Sequence, residues 1–261
     1  MLTILIQGPL RNNLCLTTLD SYLKYGKVLL VVYKNDDTSE IESKFPLVRI
    51  IKLEYPDVSN KYNFNNTFVQ TNGILEGLKL VDTEFTIRVR SDESFPDLTK
   101  FIENIKTYPN KIHVSNLYSF KDDEHKFCMG NHIFAGKTNI LLSSFEWAYS
   151  ACENNADNTQ IDSGELYFFD NAGVKIKMWS EILQTISYLV ALGVEISAEH
   201  SKDIMIEHFF MTPLIDFPNF KWTHKYTNYG EITQFTQMEY DSSWANSGGE
   251  SNRFMLKIEN I

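Results

Sequence analysis

The chain has 261 residues, of which 43% are apolar and 13% aromatic, and its net charge is −10 at pH 7. This apolar content is typical of a folded globular protein, so it argues against a disordered, collagen-like or coiled-coil chain. The acidic balance argues against a protein that holds nucleic acid by its phosphates. The length, with no internal repeat or low-complexity linker, predicts one domain over residues 1–261.

The three cysteines, Cys15, Cys128 and Cys152, have neither the spacing of a zinc site nor that of a disulfide framework. We therefore expect reduced, buried thiols and a cytoplasmic location. The N-terminus lacks the pattern of a secretory signal, and the longest apolar runs have only the length of strands. No transmembrane segment is expected, which leaves peripheral association with a membrane open.

The first 110 residues alternate between strand-like and helix-like segments. Apolar runs predict strands at 3–6, 27–33, 48–53 and 84–89. Leucines at helical spacing predict a helix near residues 16–23, and the apolar period over 64–78 predicts a longer one. Strands that alternate with helices are typical of a parallel α/β sheet.

The second half has less regular patterning. Strands are predicted at 111–117 and 132–135, and helices at 138–152, 180–192 and 202–211. Beyond Pro213 the chain is rich in Tyr, Trp, Asn and Gly and has no clear period. The predicted fold class is therefore α/β, a mostly parallel central sheet flanked by helices with an irregular, α-rich C-terminal part.

Three of the predicted strands end in unusual polar residues. The strand ends carry Gln7-Gly8-Pro9-Leu10, Asn35-Asp36-Asp37 and Arg88-Val89-Arg90-Ser91-Asp92-Glu93. Ligands bind at the carboxyl ends of the strands in open parallel sheets, so these ends are candidate binding residues. Arg88 and Arg90 lie two apart and point to the same side of a strand, where they need anionic partners. A bound diphosphate is one such partner, and the carboxylates of Asp92 and Glu93 are another.

Asp92 and Glu93 also suit a divalent cation, because Mg²⁺ and Mn²⁺ prefer carboxylate oxygens and often share their ligands with phosphates. A solvated turn closed by an Arg–carboxylate pair explains the same residues equally well. Along the helix predicted at 64–78, Asn66, Gln70, Gly73 and Gly77 form a second stripe. Two glycines cost a helix about 1 kcal/mol each, which indicates close approach of either a ligand or the sheet backbone.

Taken in order, these motifs resemble the WavE-type lipopolysaccharide synthesis family. The matching segments are Ile6-Gln7-Gly8-Pro9-Leu10, Asn66 with Gln70-Thr71, Gly77-Leu78-Lys79, Arg88-Val89-Arg90-Ser91-Asp92 and Gly130-Asn131-His132-Ile133-Phe134-Ala135-Gly136. The likeness covers about residues 1–140, with a weaker echo at Ala198-Glu199-His200. The family looks like glycosyltransferases of the GT-A fold.

The resemblance implies a nucleotide-sugar donor, with a UDP-sugar favoured, bound by residues 1–110. Gln7, Gly8, Pro9 and Leu10 would lie under the nucleotide, Asp36 or Asp37 would read the base or ribose, and Asn66 and Gln70 would lie beside it. The Asp-x-Asp of the GT-A pattern falls on Arg90-Ser91-Asp92. Asp92 is therefore the expected ligand of Mn²⁺ or Mg²⁺, while Arg88, Arg90 and Ser91 would meet the diphosphate, whose charge Arg90 can itself neutralise.

Residues 111–261 would then hold the glycan acceptor, with Asn131 and His132 in contact with it. An inverting transferase needs a base for the acceptor hydroxyl. Glu199 and Asp203 are the candidate catalytic residues, although a solvated acidic helix face would look the same. His208 is a candidate to complete the metal shell. The aromatic residues of the tail could stack on sugar rings, or they could equally be buried in the hydrophobic core. They are Trp222, Tyr226, Tyr229, Tyr240 and Trp244.

The predicted function is thus a glycosyltransferase of surface glycan or lipopolysaccharide synthesis. One alternative is a glycan- or nucleotide-binding protein with a decayed active site, because the Asp-x-Asp is half missing. A sugar nucleotidyltransferase is less favoured, because its first strand normally ends in a Gly-rich, Arg-containing loop. Gln7 to Arg11 contains a single glycine and a proline.

Overall fold

The computed structural model describes residues 2–10, 14–115, 126–213, 216–223 and 232–234, with the backbone alone at 222–223 and 232–234. The tail aromatics predicted to stack on sugars therefore lie outside the described side chains. The described strands are β1 (Leu2–Gln7), β2 (Lys27–Tyr33), β3 (Arg49–Leu53), β4 (Phe85–Arg90), β5 (Glu93–Ser94), β6 (Ile112–Ser115), β7 (Ile133–Lys137), β8 (Thr159–Asp162), β9 (Glu165–Phe169), β10 (Lys175–Met178), β11 (Phe209–Thr212), β12 (Lys221–Thr223) and β13 (Ile232–Gln234).

The centre of the fold is a seven-stranded sheet in the order β11-β6-β7-β4-β1-β2-β3. Every neighbouring pair is parallel except the two that involve β7, which runs antiparallel to both β4 and β6. The predicted mostly parallel α/β sheet is confirmed. The strands predicted at 3–6, 27–33, 48–53 and 84–89 are β1 to β4.

Helices cover both faces of this sheet. They are α1 (Leu19–Tyr25), α2 (Ser39–Lys44), α3 (Thr67–Leu78), α4 (Thr99–Thr107), α5 (Thr138–Cys152), α6 (Ser180–Ala191) and α7 (Ser201–His208). One apolar core joins the sheet to α3, α5 and α6, and a second joins its other face to α1, α2 and α4. Cover on both sides explains why β2 is apolar along nearly its whole length.

The glycines of α3 allow that helix to lie close to the sheet. A Cβ atom on Gly77 would come within 2.6 Å of Leu5 Cδ1, and one on Gly73 within 2.9 Å of Gln7 Nε2. Both atoms belong to side chains of β1. The two glycines therefore allow close packing of the helix on the sheet, and of the two explanations offered by the sequence the contacts favour the sheet over a ligand.

Two parts of the second half differ from the predictions. The helix predicted at 202–211 ends at His208, and Phe209–Thr212 forms β11 at the edge of the central sheet. Residues 159–178, for which no element was predicted, form the antiparallel sheet β10-β9-β8. A third sheet joins β5 to β12 and β13.

The three cysteines are buried and form no disulfide, as predicted. None of the helices in the described part of the chain has the length and apolar character that crossing a bilayer requires.

The strand order creates a switch point between β1 and β4. The chain moves from β1 to β2 and β3 on one side, whereas β4 lies on the other side of β1. We call the edge at which β1 to β4 end the carboxyl edge, and the opposite one the amino edge. Gln7 and Arg90, the last residues of β1 and β4, are register partners at the carboxyl edge. In open α/β sheets, ligands bind in the crevice at such a switch point.

Candidate functional site

The loop that leaves β1 is fastened to the end of β4. Gly8 has φ of +134°, and a Cβ atom there would lie 2.7 Å from Ser91 Oγ. The Ser91 hydroxyl donates to the carbonyl of Pro9 (2.9 Å), and the Ser91 backbone N–H donates to the carbonyl of Gln7 (3.1 Å). Only glycine combines that backbone conformation with this close approach, so the motif holds β1 and β4 together at the switch point.

Asp36 fixes the other side of the same loop. Its Oδ1 accepts from the Leu10 N–H (3.1 Å) and its Oδ2 from the Tyr33 N–H (2.8 Å). Asp37 is exposed, and its bonds from Ser39 lower the pKa of its carboxyl. Both oxygens of Asp36 are thus engaged by backbone in this structure. Its observed role is to position the loop, while Asp37 is open to solvent.

Arg88 is buried beneath the carboxyl edge. Its Nη2 donates to Gln7 Oε1 (2.9 Å) and its Nη1 to the Asn131 carbonyl (2.6 Å), and its guanidinium carbon lies 5.6 Å from the Phe134 ring centre. Burial lowers the pKa of Arg88 to about 10. Its hydrogen-bond partners are neutral, so it links β1, β4 and β7 and leaves a positive charge under the edge.

Arg90 is held by two carboxylates. Its Nε and Nη2 donate to the two oxygens of Asp92, both at 2.8 Å, and Nε lies 3.2 Å from Glu93 Oε1. Burial opposes ionisation of Asp92, but the charge and hydrogen bonds of Arg90 outweigh it and lower the pKa of Asp92 to about 2. The side chains of Arg90 and Asp92 are each 25% exposed, so a ligand in the crevice can reach both.

Glu93 and His132 form the deepest part of the site. Glu93 Oε1 is hydrogen-bonded to His132 Nδ1, and the two side chains are 0% and 5% exposed. Glu93 Oε2 is buried and has no hydrogen-bond partner among the described residues. His132 lies beside Glu93 because β7 is antiparallel to β4, with Ile133 opposite Val89 near the end of β4. The sequence placed Glu93 at this strand end but gave no sign that a histidine 39 residues further on would contact it.

We call these residues the carboxyl-edge cluster, and its members are Gln7, Arg88, Arg90, Ser91, Asp92, Glu93, Asn131 and His132. The structure thus brings together two groups that the sequence predicted separately, the donor residues of β1 and β4 and the acceptor residues before β7.

Asn66 and Gln70 lie at the start of α3, which leads from the carboxyl edge back towards β4. Asn66 is exposed, with φ of +62° as the cap residue of the helix. Gln70 Nε2 donates to the Asn65 carbonyl (3.4 Å), and Gln70 Oε1 is buried without a hydrogen-bond partner in the described part of the chain. The start of α3 lies close to the carboxyl edge, because Gly73 approaches Gln7 and the Tyr33 hydroxyl donates to the Val69 carbonyl (3.3 Å).

Glu199, Asp203 and His208 are placed differently from the prediction. β6 runs in the direction of β4, because both are antiparallel to β7, and β11 is parallel to β6. β11 therefore begins at the amino edge, immediately after His208. Lys111, which precedes β6 at that edge, donates to the α7 carbonyl of Ile206 (2.9 Å).

His208 consequently lies apart from Asp92. From strand spacing, His208 is about 20 Å from it, too far to share a metal ion. Glu199, in the turn before α7, and Asp203 are exposed, and neither shows a hydrogen bond or ion pair to the carboxyl-edge cluster as far as the structure describes it. His208 is placed there because α7 ends where the edge strand β11 begins, whereas the roles of Glu199 and Asp203 stay predictions.

The described residues do not fit a site for Mn²⁺ or Mg²⁺. No group of three or more His, Cys, Asp or Glu side chains is arranged to hold a metal ion within the described ranges. Asp92, the expected ligand, already gives both oxygens to Arg90. A cation there would also meet the positive charges of Arg88 and Arg90.

The sequence matches no family model and none of the curated proteins compared with it, so the WavE-type family is not confirmed. Solved structures are similar in part. Glucosyl-3-phosphoglycerate synthase of Mycobacterium tuberculosis, solved with Mn²⁺, UDP and glucosyl-3-phosphoglycerate, is 9% identical, with a TM-score of 0.46 over 93% of this chain and 75% of its own. The galactosyltransferase LgtC, solved with donor and acceptor sugar analogues, is 10% identical, with a TM-score of 0.43 over 72% of this chain and 70% of its own.

TarS of S. aureus is 13% identical, with a TM-score of 0.44 over 73% of this chain, which spans 33% of TarS. A putative glucose-1-phosphate thymidylyltransferase of Bacillus anthracis is also similar, at 10% identity and a TM-score of 0.38 over 59% of this chain and 78% of its own. All of these TM-scores lie below 0.5. The functional conclusion therefore depends on the residues of this chain.

Proposed function

We propose that this protein is a glycosyltransferase that moves a sugar from a nucleotide-sugar donor, a UDP-sugar, to a hydroxyl of a glycan acceptor. The observation that carries the proposal is the carboxyl-edge cluster at the β1–β4 switch point. A partly exposed arginine, Arg90, lies there beside the loop Gly8 to Leu10, at the position where a switch point of an open α/β sheet forms a crevice. A crevice of this kind suits the diphosphate of a nucleotide.

The nucleoside would extend from the diphosphate towards β2 and β3. Tyr55, just beyond β3, is 60% exposed, and its ring centre lies 5.2 Å from that of Tyr33 at the end of β2. An exposed ring supported by a buried one is a suitable surface for a base to stack on. Asp37, Asn66 and Gln70 offer polar groups nearby for the ribose and base. Residues 1–110 would thus form the donor half and residues 111–261 the acceptor half.

On the acceptor side, His132 takes the place of Glu199 and Asp203 as the proposed base. Glu93 engages Nδ1 and orients the imidazole, and in this proposal the ring takes up the acceptor proton at Nε2. As that proton passes to Nε2, the acceptor oxygen bonds to the anomeric carbon. The bond from this carbon to the diphosphate breaks, and its electron pair leaves with UDP. This single displacement inverts the anomeric centre. Asn131 would help to place the acceptor, which we take to be a surface glycan such as lipopolysaccharide.

The test is a thermal-shift panel of UDP, GDP, CDP and ADP, followed by incubation with UDP-sugars and measurement of released UDP. A ligand at a hundredfold excess over its Kd stabilises the native state by about 2.7 kcal/mol, which such a panel detects. We expect a clear shift with UDP and slow release of UDP from a UDP-sugar to water. No shift with any nucleoside diphosphate would contradict the proposal.

A binding protein without catalysis is the second candidate, and Arg90 in place of the first aspartate of the Asp-x-Asp favours it. Such a protein would bind UDP and release none from a UDP-sugar. A sugar nucleotidyltransferase would instead produce UDP-sugar and pyrophosphate from UTP and a sugar 1-phosphate, and added pyrophosphatase would convert the pyrophosphate to phosphate for detection.

A further inference from the structure

The end of β4 presents an arginine where the GT-A pattern has a metal-binding aspartate. Arg90 lies opposite Gln7 at the switch point, and Asp92 is joined to it by two hydrogen bonds of 2.8 Å. The nearest other acid, Glu93, is buried and engaged by His132 and Arg90. Asp92 and Glu93 therefore both pair with Arg90.

We infer that Arg90 binds the donor diphosphate in place of a divalent cation, and that Asp92 is the positioning residue that orients Arg90. This inference rests on the proposed function, because it assumes that the crevice receives a nucleoside diphosphate. It adds that binding and turnover at this site need no metal.

The hydrogen-bond pattern of Arg90 leaves donors for a ligand. Nε and Nη2 each use one N–H on Asp92. Nη1 donates to no described residue. It is also not one of the buried polar atoms that lack a hydrogen-bond partner, so it is accessible from outside. Its two N–H groups therefore face accessible space, in a direction that the bond to Asp92 holds fixed. A planar guanidinium held in this way suits two phosphate oxygens.

The surroundings favour an anion over a cation at this position. Arg88 lies two residues before Arg90 on the same side of β4, is buried, and has neutral hydrogen-bond partners. Its charge adds to that of Arg90, and the carboxylates of Asp92, Glu93 and Glu181 offset the two guanidinium charges, so the preference for an anion comes from the hydrogen-bond geometry of Arg90. A divalent cation would need to break the Arg90–Asp92 pair and then remain close to two guanidinium groups, whereas a diphosphate keeps the pair and uses the open N–H groups.

The experiment measures the Kd of UDP and of uridine by calorimetry, in EDTA and in Mn²⁺, on the full chain. We expect wild-type Kd values for UDP that agree within twofold in EDTA and Mn²⁺. Arg90→Gln should weaken UDP at least tenfold and leave uridine unchanged, because uridine lacks the diphosphate. Asp92→Asn should weaken UDP by a smaller factor, and Arg90→Lys, which keeps the charge, should retain part of the affinity.

The matched control is Arg49→Gln, because Arg49 is an exposed arginine at the amino end of β3 and should bind UDP as the wild type does. Tenfold tighter UDP binding in Mn²⁺, lost in Asp92→Asn, would overturn the inference, as would unchanged UDP binding by Arg90→Gln. The comparison of EDTA with Mn²⁺ uses the wild type and holds even if a variant fails to fold. If the wild type binds no nucleoside diphosphate, the proposed function itself fails. If the wild type binds UDP but needs Mn²⁺ or does not need Arg90, only the inference about Arg90 fails.

Discussion

Two arginines of the same motif have different environments and therefore different uses. Arg88 and Arg90 point to the same side of β4, as their spacing predicts. Arg88 is fully buried and is held by a glutamine side chain and a backbone carbonyl, while Arg90 is partly exposed and is held by a carboxylate. The sequence predicted that both need anionic partners, which holds for Arg90 alone. Their depth below the edge depends on how β7 covers β4, and no local pattern reports that.

Gly8 provides a prediction about the rigidity of the loop. Gly8→Ala should lower the free energy of unfolding by about 1–3 kcal/mol, because it combines a left-handed backbone conformation with a Cβ atom 2.7 Å from Ser91 Oγ. Urea denaturation measures the change. Gly164→Ala is the control, because Gly164 also has a positive φ (+81°) but a Cβ atom there would have nothing within 4 Å. Equal losses in the two variants would show that the contact with Ser91 contributes nothing.

Asp92 provides a prediction about pH. Its pKa lies near 2 in the folded protein, against an ordinary value of 3.8, so its contribution is present above pH 4 and is lost as the pH falls towards 2. The size is about 2 kcal/mol. The difference in free energy of unfolding between the wild type and Asp92→Asn should therefore shrink from pH 6 to pH 2. A difference that stays constant over this range would contradict the ion pair with Arg90.

At the scale of elements, long and strongly periodic segments were predictable and short ones were not. The apolar period of α3 and the continuous apolar run of β2 identified both elements. Residues 209–211, which begin β11, were predicted as the end of a helix, because a short apolar run does not distinguish a strand from a helix. That one boundary decides where α7 lies, and so it also decides the role of the acidic residues near it.

The end of α7 at the amino edge, together with the exposure of Glu199 and Asp203, leads to a prediction for the three residues first assigned to catalysis and metal binding. Glu199→Gln, Asp203→Asn and His208→Asn should each release UDP from a UDP-sugar within twofold of the wild-type rate. His132→Asn should reduce that rate about 100-fold or more, while UDP binding is retained, because it removes the proposed base.

Loss of activity in Glu199→Gln with normal activity in His132→Asn would reverse these roles. Glu93→Gln is an informative companion variant, because it keeps a hydrogen-bonding group beside His132 but removes the charge. We expect a slower rate with little change in the Kd of UDP.

At the scale of the whole molecule, chain topology brings the proposed site residues together at the carboxyl edge. The sequence identified three polar strand ends, and the parallel order of β1 to β4 brings them to one edge, as expected. The sequence could not show that β7 is antiparallel, and this reversal is what delivers Asn131 and His132 to the same edge. Donor and acceptor residues predicted from separate motifs therefore meet because of one strand direction.

The most direct test of the central claim, a nucleotide-sugar site at the carboxyl edge, is amide hydrogen exchange on the full chain with and without UDP. We predict slower exchange in peptides that contain residues 7–10, 66–70, 90–93 and 131–132, and unchanged exchange across α7. Saturating UDP that slows exchange at α7 and leaves the ends of β1 and β4 unchanged would contradict the account.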